Sequence, residues 1–225
     1  MKSFCIIGLN VFGETLARTL AQEGRQVMII DPDSSKVTPL ADLVTNAVIG
    51  DPTMEAVLRT AGVQDYECAI VCEAENINDN VLESIMLKDL GVKTVISRAV
   101  NEGHRKVLSR IGVDRVIFPE QDTGERLAFT LARDKVTDYM EFRGYKLVEL
   151  QVPKAWHGKN LIELGIRKNF GVTVVAVTLP DPSDGDNPQV DVSPAPGRKF
   201  SFGERMTLIG DDAAIDHCIK VLGNK

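Results

Sequence analysis

The chain has 225 residues, which is enough for one large domain or two small ones. Its hydrophobic fraction of 44% and charged fraction of 26% are those of a globular protein, and no apolar run approaches the roughly 20 residues of a membrane-spanning helix. The net charge of -6, without a cluster of Lys and Arg, argues against nucleic-acid binding. We therefore expect a soluble protein without a signal peptide and without nucleic acid as a partner.

The first 120 residues alternate between apolar runs and helical patterns. Residues 4–8 and 27–30 are apolar without alternation, which is typical of strands buried on both faces. Further strands are predicted at 44–49, 68–72, 94–100 and 113–118. Helices are predicted to open at Gly13, Asp33, Asp51, Asn76 and Asn101. This alternation predicts an α/β domain with a Rossmann-like parallel sheet and right-handed crossovers.

The pattern changes after Glu120. Leu127, Leu131 and Val136 share a stripe that predicts a crossover or linker helix over residues 121–140. The remaining elements are predicted as strands at 145–152, 172–179 and 206–209, helices at 161–167 and 213–222, and a loop at 180–196. The predicted domains are therefore a nucleotide-binding domain at 1–120, the linker helix, and a small α+β domain at 141–225.

The segment Gly8-Leu9-Asn10-Val11-Phe12-Gly13 is a G-x-N-x-x-G variant of the dinucleotide fingerprint. A glycine permits a tight turn from strand to helix, and the helix N-terminus offers unpaired N–H groups and a positive dipole end to a diphosphate. Asp31 ends the second strand, where a carboxylate accepts from ribose hydroxyls. The context predicts an adenine-nucleotide site; a Rossmann-like fold that has lost its nucleotide is the alternative. The candidate contacts here are Gly8, Asn10, Val11, Phe12, Gly13 and Asp31.

Three further positions carry charge near the expected site. Asp51, with Pro52 and Thr53, follows the third strand and is either a helix N-cap or a ligand contact. Arg98 is charged within an apolar strand, which a phosphate, a carboxylate or a structural salt bridge would explain. Glu120 either coordinates a cation or begins a helix.

Catalytic signatures are missing from the sequence. It has no G-x-S-x-G, no P-loop lysine and no H-E-x-x-H. We interpret His104, in a polar helix, and His157, in a loop, as solvated surface residues. We therefore predict that the chain is not an enzyme. The alternative is an NAD-dependent oxidoreductase, which would need a substrate domain with a proton donor.

Two sets of motifs, one in each half, point to one family. The first half contains Ile6-Ile7-Gly8-Leu9-x-x-Phe12-Gly13, Gly50-Asp51-Pro52-Thr53 and a run of matching residues over 106–124. The second half contains matching runs over 158–167 and 170–177, and Ser193-Pro194. Together these motifs resemble the TrkA/KtrA family, whose members carry an RCK domain, and the resemblance covers essentially the whole chain.

The resemblance implies a cytoplasmic regulatory subunit of a Ktr/Trk-type potassium uptake system. Such subunits form homodimers that assemble into octameric rings beneath a membrane channel or transporter subunit. ATP, ADP or NAD(H) binds the N-terminal domain and gates the pore, and in some members the C-terminal dimer interface binds cyclic di-AMP. A regulator of a potassium efflux channel or an antiporter is the alternative within the same class.

The resemblance also implies roles for individual residues. Gly8, Gly13, Asp31 and Asp51 would line the nucleotide, and a basic residue at the position of Arg98 approaches the phosphates. Glu120 matches a position that is linked to a cation at the dimer interface. Two residues depart from the family: Asn10 replaces a glycine, and Val11 replaces an arginine that reaches a γ-phosphate. Without that arginine, we do not expect the site to distinguish ATP from ADP, and AMP or another nucleotide becomes the favoured ligand.

Overall fold

The computed structural model describes residues 2–73, 75–180 and 189–223. The chain divides into two compact units, Met1–Gln121 and Asp122–Lys225. Each unit has its own hydrophobic core. Among the described residues, no helix is long and apolar enough to cross a membrane.

The first unit contains a parallel sheet of six strands in the order β3-β2-β1-β4-β5-β6. Its strands are β1 (Ser3–Ile7), β2 (Gln26–Asp31), β3 (Asn46–Ile49), β4 (Cys68–Val71), β5 (Thr94–Arg98) and β6 (Arg115–Ile117). Its helices are α1 (Val11–Gln22), α2 (Ser34–Val37), α3 (Glu55–Ala61), α4 (Ile77–Asp89) and α5 (Glu102–Arg110). The predicted Rossmann-like α/β fold is confirmed.

The central strands β1 and β2 are apolar between their ends because both faces of the sheet are covered. In β1, Ile6 belongs to one core cluster and Ile7 to the other, and in β2 Ile29 and Ile30 divide in the same way. Successive side chains of a strand point to opposite faces. Each strand therefore contributes to two cores at once, which accounts for the absence of polar alternation in the sequence.

Helix starts in the first unit differ from the prediction at two places. The first helix begins at Val11 with Asn10 as its N-cap, so Gly13 lies inside its first turn. Asp51 is not a helix N-cap, because α3 begins at Glu55 and its N-cap is Met54. Asp51 instead accepts from the backbone N–H and the hydroxyl of Thr53, at 2.9 and 2.6 Å, and so closes a turn ahead of the helix.

The second unit contains an antiparallel sheet in the order β10-β9-β11-β8-β7. Its strands are β7 (Val136–Phe142), β8 (Tyr145–Gln151), β9 (Thr173–Thr178), β10 (Val190–Val192) and β11 (Arg205–Asp211). The remaining helices are α6 (Pro119–Leu131), α7 (Leu161–Leu164), α8 (Ile166–Phe170) and α9 (Asp212–Gly223). This small α+β arrangement matches the predicted fold class.

The linker helix predicted over 121–140 is wrong in its second half. Helix α6 ends at Leu131, and Val136 begins strand β7, where it pairs with Leu150. Strand β7 joins β8 through a two-residue loop, Arg143 and Gly144, whose φ values of 51° and 82° are both positive. Positive φ at both central residues is the geometry of a tight β-hairpin turn.

Two smaller predictions also change in the second unit. The single helix predicted over 161–167 is divided at Gly165, whose φ of 54° ends α7 before α8 starts. The loop predicted over 180–196 contains strand β10, which pairs with β9. Residues 181–188 of that loop lie outside the described residues.

Candidate nucleotide-binding site

The turn between β1 and α1 requires glycine at both ends of the fingerprint. Gly8 has a φ of 87°, and a Cβ there would lie 3.1 Å from the backbone nitrogen of Glu73. A Cβ on Gly13 would lie 2.1 Å from the carbonyl oxygen of Gly8, which is closer than two such atoms approach. The glycines therefore let the first turn of α1 pack directly onto the end of β1.

The side-chain amide of Asn10 makes hydrogen bonds at the start of α1 through both its oxygen and its nitrogen. Its Oδ1 accepts from the N–H of Gly13 at 3.0 Å, and its Nδ2 donates to the carbonyl of Cys72 at 2.6 Å. The first bond caps the helix, and the second ties that cap to the residue after β4. One N–H group of the helix terminus is thus occupied by the chain itself.

The donors that remain at this terminus belong to Val11 and Phe12. The first N–H groups of a helix have no partner within it, while the N–H of Glu14 already donates to the carbonyl of Asn10. The Val11 side chain is 85% exposed on this turn. Two backbone N–H groups and the positive end of the helix dipole are therefore available to an anion.

Asp31 is built into the turn from below. It is only 4% exposed, and its two carboxylate oxygens accept from the N–H groups of Leu9 and Asp33, at 2.6 and 2.8 Å. Each carboxylate oxygen has a second lone pair. Asp31 therefore positions the glycine turn and retains the capacity to accept from a ribose hydroxyl.

An open depression of about 570 Å³ lies over these elements. It is lined by Asn10, Val11, Phe12, Thr15, Glu75, Arg98 and Glu120. The structure thus brings together five of the predicted site residues, with Gly8, Gly13 and Asp31 supporting the turn that carries them. Asp51, Pro52 and Thr53 do not belong to this lining. Thr15 and Glu75 were not predicted, because neither belongs to a sequence motif.

Arg98 and Glu120 form an ion pair within this depression. The Arg98 side chain is 13% exposed, and its Nη1 also lies 3.5 Å from the carbonyl of Cys72. The carboxylate partner predicted for Arg98 is therefore Glu120. Glu75 and Glu120 outnumber Arg98 in the lining, so a bound phosphate would rely on the helix terminus and would compete with Glu120 for the guanidinium.

Glu120 lies in the first turn of α6, where an acidic side chain is favoured. In the described part of the chain, no group of three or more His, Cys, Asp and Glu side chains is arranged to hold a metal ion. The role of Glu120 toward a cation stays a prediction.

Asp51 is exposed, and its hydrogen bonds with the hydroxyl and the N–H of Thr53 lower the pKa of its carboxyl.

Two histidines differ from their predicted environment. His104 on α5 is 2% exposed, and neither of its ring nitrogens has a hydrogen-bond partner among the described residues. Burial lowers the pKa of its imidazole. His157 is half-buried, and its Nε2 also has no partner in the described chain. The interpretation as a solvated surface residue is therefore wrong for His104 and only partly right for His157, because the polarity of the neighbouring sequence does not reveal the burial of a ring.

Comparison with known proteins identifies the family. A family model described as the TrkA-N domain matches residues 4–119. Ktr system potassium uptake protein C of Bacillus subtilis is 39% identical over 177 residues, which cover 78% of this chain and 80% of that protein. Ktr system potassium uptake protein A of the same organism is 34% identical over 196 residues, covering 87% and 85%.

Solved structures show the same fold. The TrkA-N domain of the inner membrane protein YbaL from Escherichia coli superposes with a TM-score of 0.52 at 16% identity, over 58% of this chain and 96% of that chain. GsuK bound to ADP superposes with a TM-score of 0.50 at 25% identity, over 58% of this chain and 33% of the GsuK chain. The chain thus spans about a third of the length of that protein. The predicted resemblance is confirmed, and the chain belongs to the TrkA-N family of Ktr- and Trk-type potassium uptake proteins.

Proposed function

We propose that this chain is a nucleotide-sensing regulatory subunit that controls potassium transport by a membrane channel or transporter. The observation that carries the proposal is the extent of the match with the two Ktr proteins. Alignments of 177 and 196 residues are longer than the first unit and must include part of the second. The likeness therefore extends beyond a nucleotide-binding fold that many protein classes share.

The geometry of the first unit supports an adenine nucleotide as the signal. Val11 and Phe12 line the depression at the N-terminus of α1, and we infer that Asp31 accepts from a ribose hydroxyl. GsuK, which is 25% identical over the matched part, was solved with ADP. Val11 offers no charge to a terminal phosphate, so we infer AMP, ADP or NAD(H) as better ligands than ATP.

Regulation of this kind needs no chemical reaction in the subunit. A nucleotide that binds two conformations with different affinity shifts their populations by that difference. We infer that the chain acts as a homodimer within a larger ring on the cytosolic face of the membrane, attached through its partner. Cyclic di-AMP as a second ligand, bound by the second unit, stays a prediction.

Thermal unfolding of the purified chain with ATP, ADP, AMP, NAD+, NADH and cyclic di-AMP tests the nucleotide site. A ligand that binds only the folded state adds about 2.7 kcal/mol of stability at a hundred times its dissociation constant. We expect a higher midpoint with at least one of ADP, AMP, NAD+ and NADH. Val11→Glu should abolish this rise, because it puts a carboxylate where the phosphate would bind, while an acid in the first turn leaves the helix intact.

The control variant is Val11→Gln, which has the same size without the charge and should retain the rise. A midpoint that no nucleotide moves would contradict nucleotide sensing. Turnover of NADH with a hydroxy or oxo substrate would instead favour the oxidoreductase alternative. Co-purification with a membrane protein would identify the partner. A potassium uptake channel or transporter would support the proposal, and an efflux channel or antiporter would favour the alternative.

A further inference from the structure

Glu83 is a buried acid, one of whose carboxyl oxygens has no hydrogen-bond partner among the described residues. It lies on α4, is 2% exposed, and its Oε2 has no hydrogen-bond partner among the described residues. Its neighbours on the buried side of α4 are satisfied: Asn80 donates to the carbonyls of Glu73 and Arg98, and Ser84 donates to Ser97. A buried carboxyl with an unsatisfied oxygen is costly to ionise.

Four acids among the described residues act on Glu83. They are Glu73 after β4, Asp79 on α4, Asp51 after β3 and Asp31 at the end of β2. The thiol of Cys72, which follows β4, is also within the field of Glu83. Burial first, and then these carboxylates, raise the pKa of Glu83 to about 8. Glu83 is therefore protonated at neutral pH and loses its proton in the mildly alkaline range.

This cluster shares one edge of the sheet with the candidate nucleotide site. Asp31 supports the glycine turn, and the backbone of Glu73 lies against Gly8. An anionic nucleotide bound over that turn adds negative charge to a field that is already acidic. Added negative charge favours the neutral form of a carboxyl.

We propose that Glu83 is a proton-binding site coupled to the nucleotide site, so that the chain takes up a proton at Glu83 when it binds an anionic adenine nucleotide. This inference rests on the proposed function. Coupling is reciprocal: the nucleotide strengthens proton binding, and loss of the proton weakens nucleotide binding by the same factor. The subunit thereby reports nucleotide and cytosolic pH together.

Titration calorimetry with ADP at pH 8.0, in Tris and in HEPES, measures the coupling. These buffers differ in ionisation enthalpy, so the difference in binding enthalpy gives the protons taken up. We expect uptake of up to about half a proton per ADP, because Glu83 is about half protonated there. A unit charge in the protein shifts a pKa by about half a unit to one unit, so the affinity for ADP should fall roughly twofold to fivefold between pH 7 and pH 9.

Glu83→Gln imitates the protonated carboxyl and should bind ADP with little proton uptake and little dependence on pH. Asp89→Asn is the matched control, because it makes the same acid-to-amide change at an exposed position on the same helix. Equal proton uptake in the native chain and in Glu83→Gln would overturn the coupling while leaving nucleotide binding intact. No binding of ADP, AMP, NAD+ or NADH at any pH would contradict the proposed site and the coupling together.

A second readout needs no nucleotide. Between the pKa of an unfolded Glu, about 4.3, and that of folded Glu83, about 8, the folded chain binds one proton more than the unfolded chain. Stability from Glu83 is therefore present at low pH and is lost as pH rises through this window. The unfolding midpoint of the native chain should fall from pH 5 to pH 8 more steeply than that of Glu83→Gln. Parallel curves would contradict a retained proton at Glu83.

Discussion

At the residue scale, Asn10 occupies with its own side chain a position that a glycine would leave open to a ligand. Its Oδ1 takes the N–H of Gly13, and its Nδ2 fastens the turn to Cys72. The capping bond and the tie to β4 each contribute on the order of 1 kcal/mol to folding. The same two bonds reduce the number of helix N–H groups that can reach a phosphate. Stability and ligand contact therefore compete at this residue.

Asn10→Gly tests this competition. Glycine is tolerated at an N-cap, so the main loss is the bond to the Cys72 carbonyl, and we expect the free energy of unfolding to fall by about 1 kcal/mol. The N–H of Gly13 is freed, so ADP should bind several-fold more tightly. Denaturant unfolding and calorimetry measure the two effects.

The control for Asn10→Gly is Asn10→Ser, which retains a capping oxygen but cannot reach the Cys72 carbonyl. It should lose stability without gaining affinity for ADP. Weaker ADP binding by Asn10→Gly would show that Asn10 itself contacts the nucleotide. Asp31 is a poorer probe of binding, because both its oxygens hold backbone N–H groups and its loss would disturb the turn.

At the element scale, the packing of α1 on β1 depends on one missing side chain. Gly13→Ala would place a Cβ 2.1 Å from the Gly8 carbonyl oxygen, which is rigid backbone. We expect a loss of several kcal/mol of unfolding free energy, measured in denaturant, because the helix must move away from the strand. Gly124→Ala in α6 is the control: outside the neighbouring helix backbone, no atom of the described residues lies within 4 Å of a Cβ added there, and the change should stabilise by up to about 1 kcal/mol. Similar effects of both substitutions would refute the proposed close approach.

The elements also show what local sequence can predict. The strands of the first unit were predictable because two covered faces demand continuous apolar runs, and the glycine turn because its spacing is sterically fixed. The hairpin of β7 and β8 was missed because Leu127, Leu131 and Val136 happen to continue a helical spacing. The turn at Arg143 and Gly144 distinguishes a hairpin from a helix, but its sequence indicates a turn only weakly, because arginine rarely adopts positive φ.

In the candidate site, too, some features could be predicted from local sequence and others could not. Gly8, Asn10, Gly13 and Asp31 were predictable from the fingerprint and its spacing. The partner of Arg98 was not, because β5 and the start of α6 meet only in the folded sheet. The environment of Glu83 depends on four acids from separate segments, and nothing in the sequence of α4 distinguishes it from a surface glutamate.

At the scale of the whole molecule, the two units have separate cores, and the complete lining of the nucleotide depression belongs to the first. We expect a chain of residues 1–121 to unfold cooperatively and to keep the increase in unfolding midpoint that ADP gives the full chain. The full chain measured in parallel is the control. A fragment that folds without responding to ADP would show that residues after 121 contribute to the site, and a fragment that fails to fold would contradict the independence of the first unit.

The cysteines are all in the interior. The four thiols are free and buried, and burial raises the pKa of each, to about 11 in Cys68 and Cys218 and about 12 in Cys72. Thiolates carry the reactivity toward maleimides, and these groups form little thiolate at neutral pH. A single cysteine introduced on the surface would therefore react far ahead of the native ones. The sequence therefore allows one fluorophore or spin label to be attached per subunit, so that distances within the proposed assembly can be followed as nucleotide and pH change.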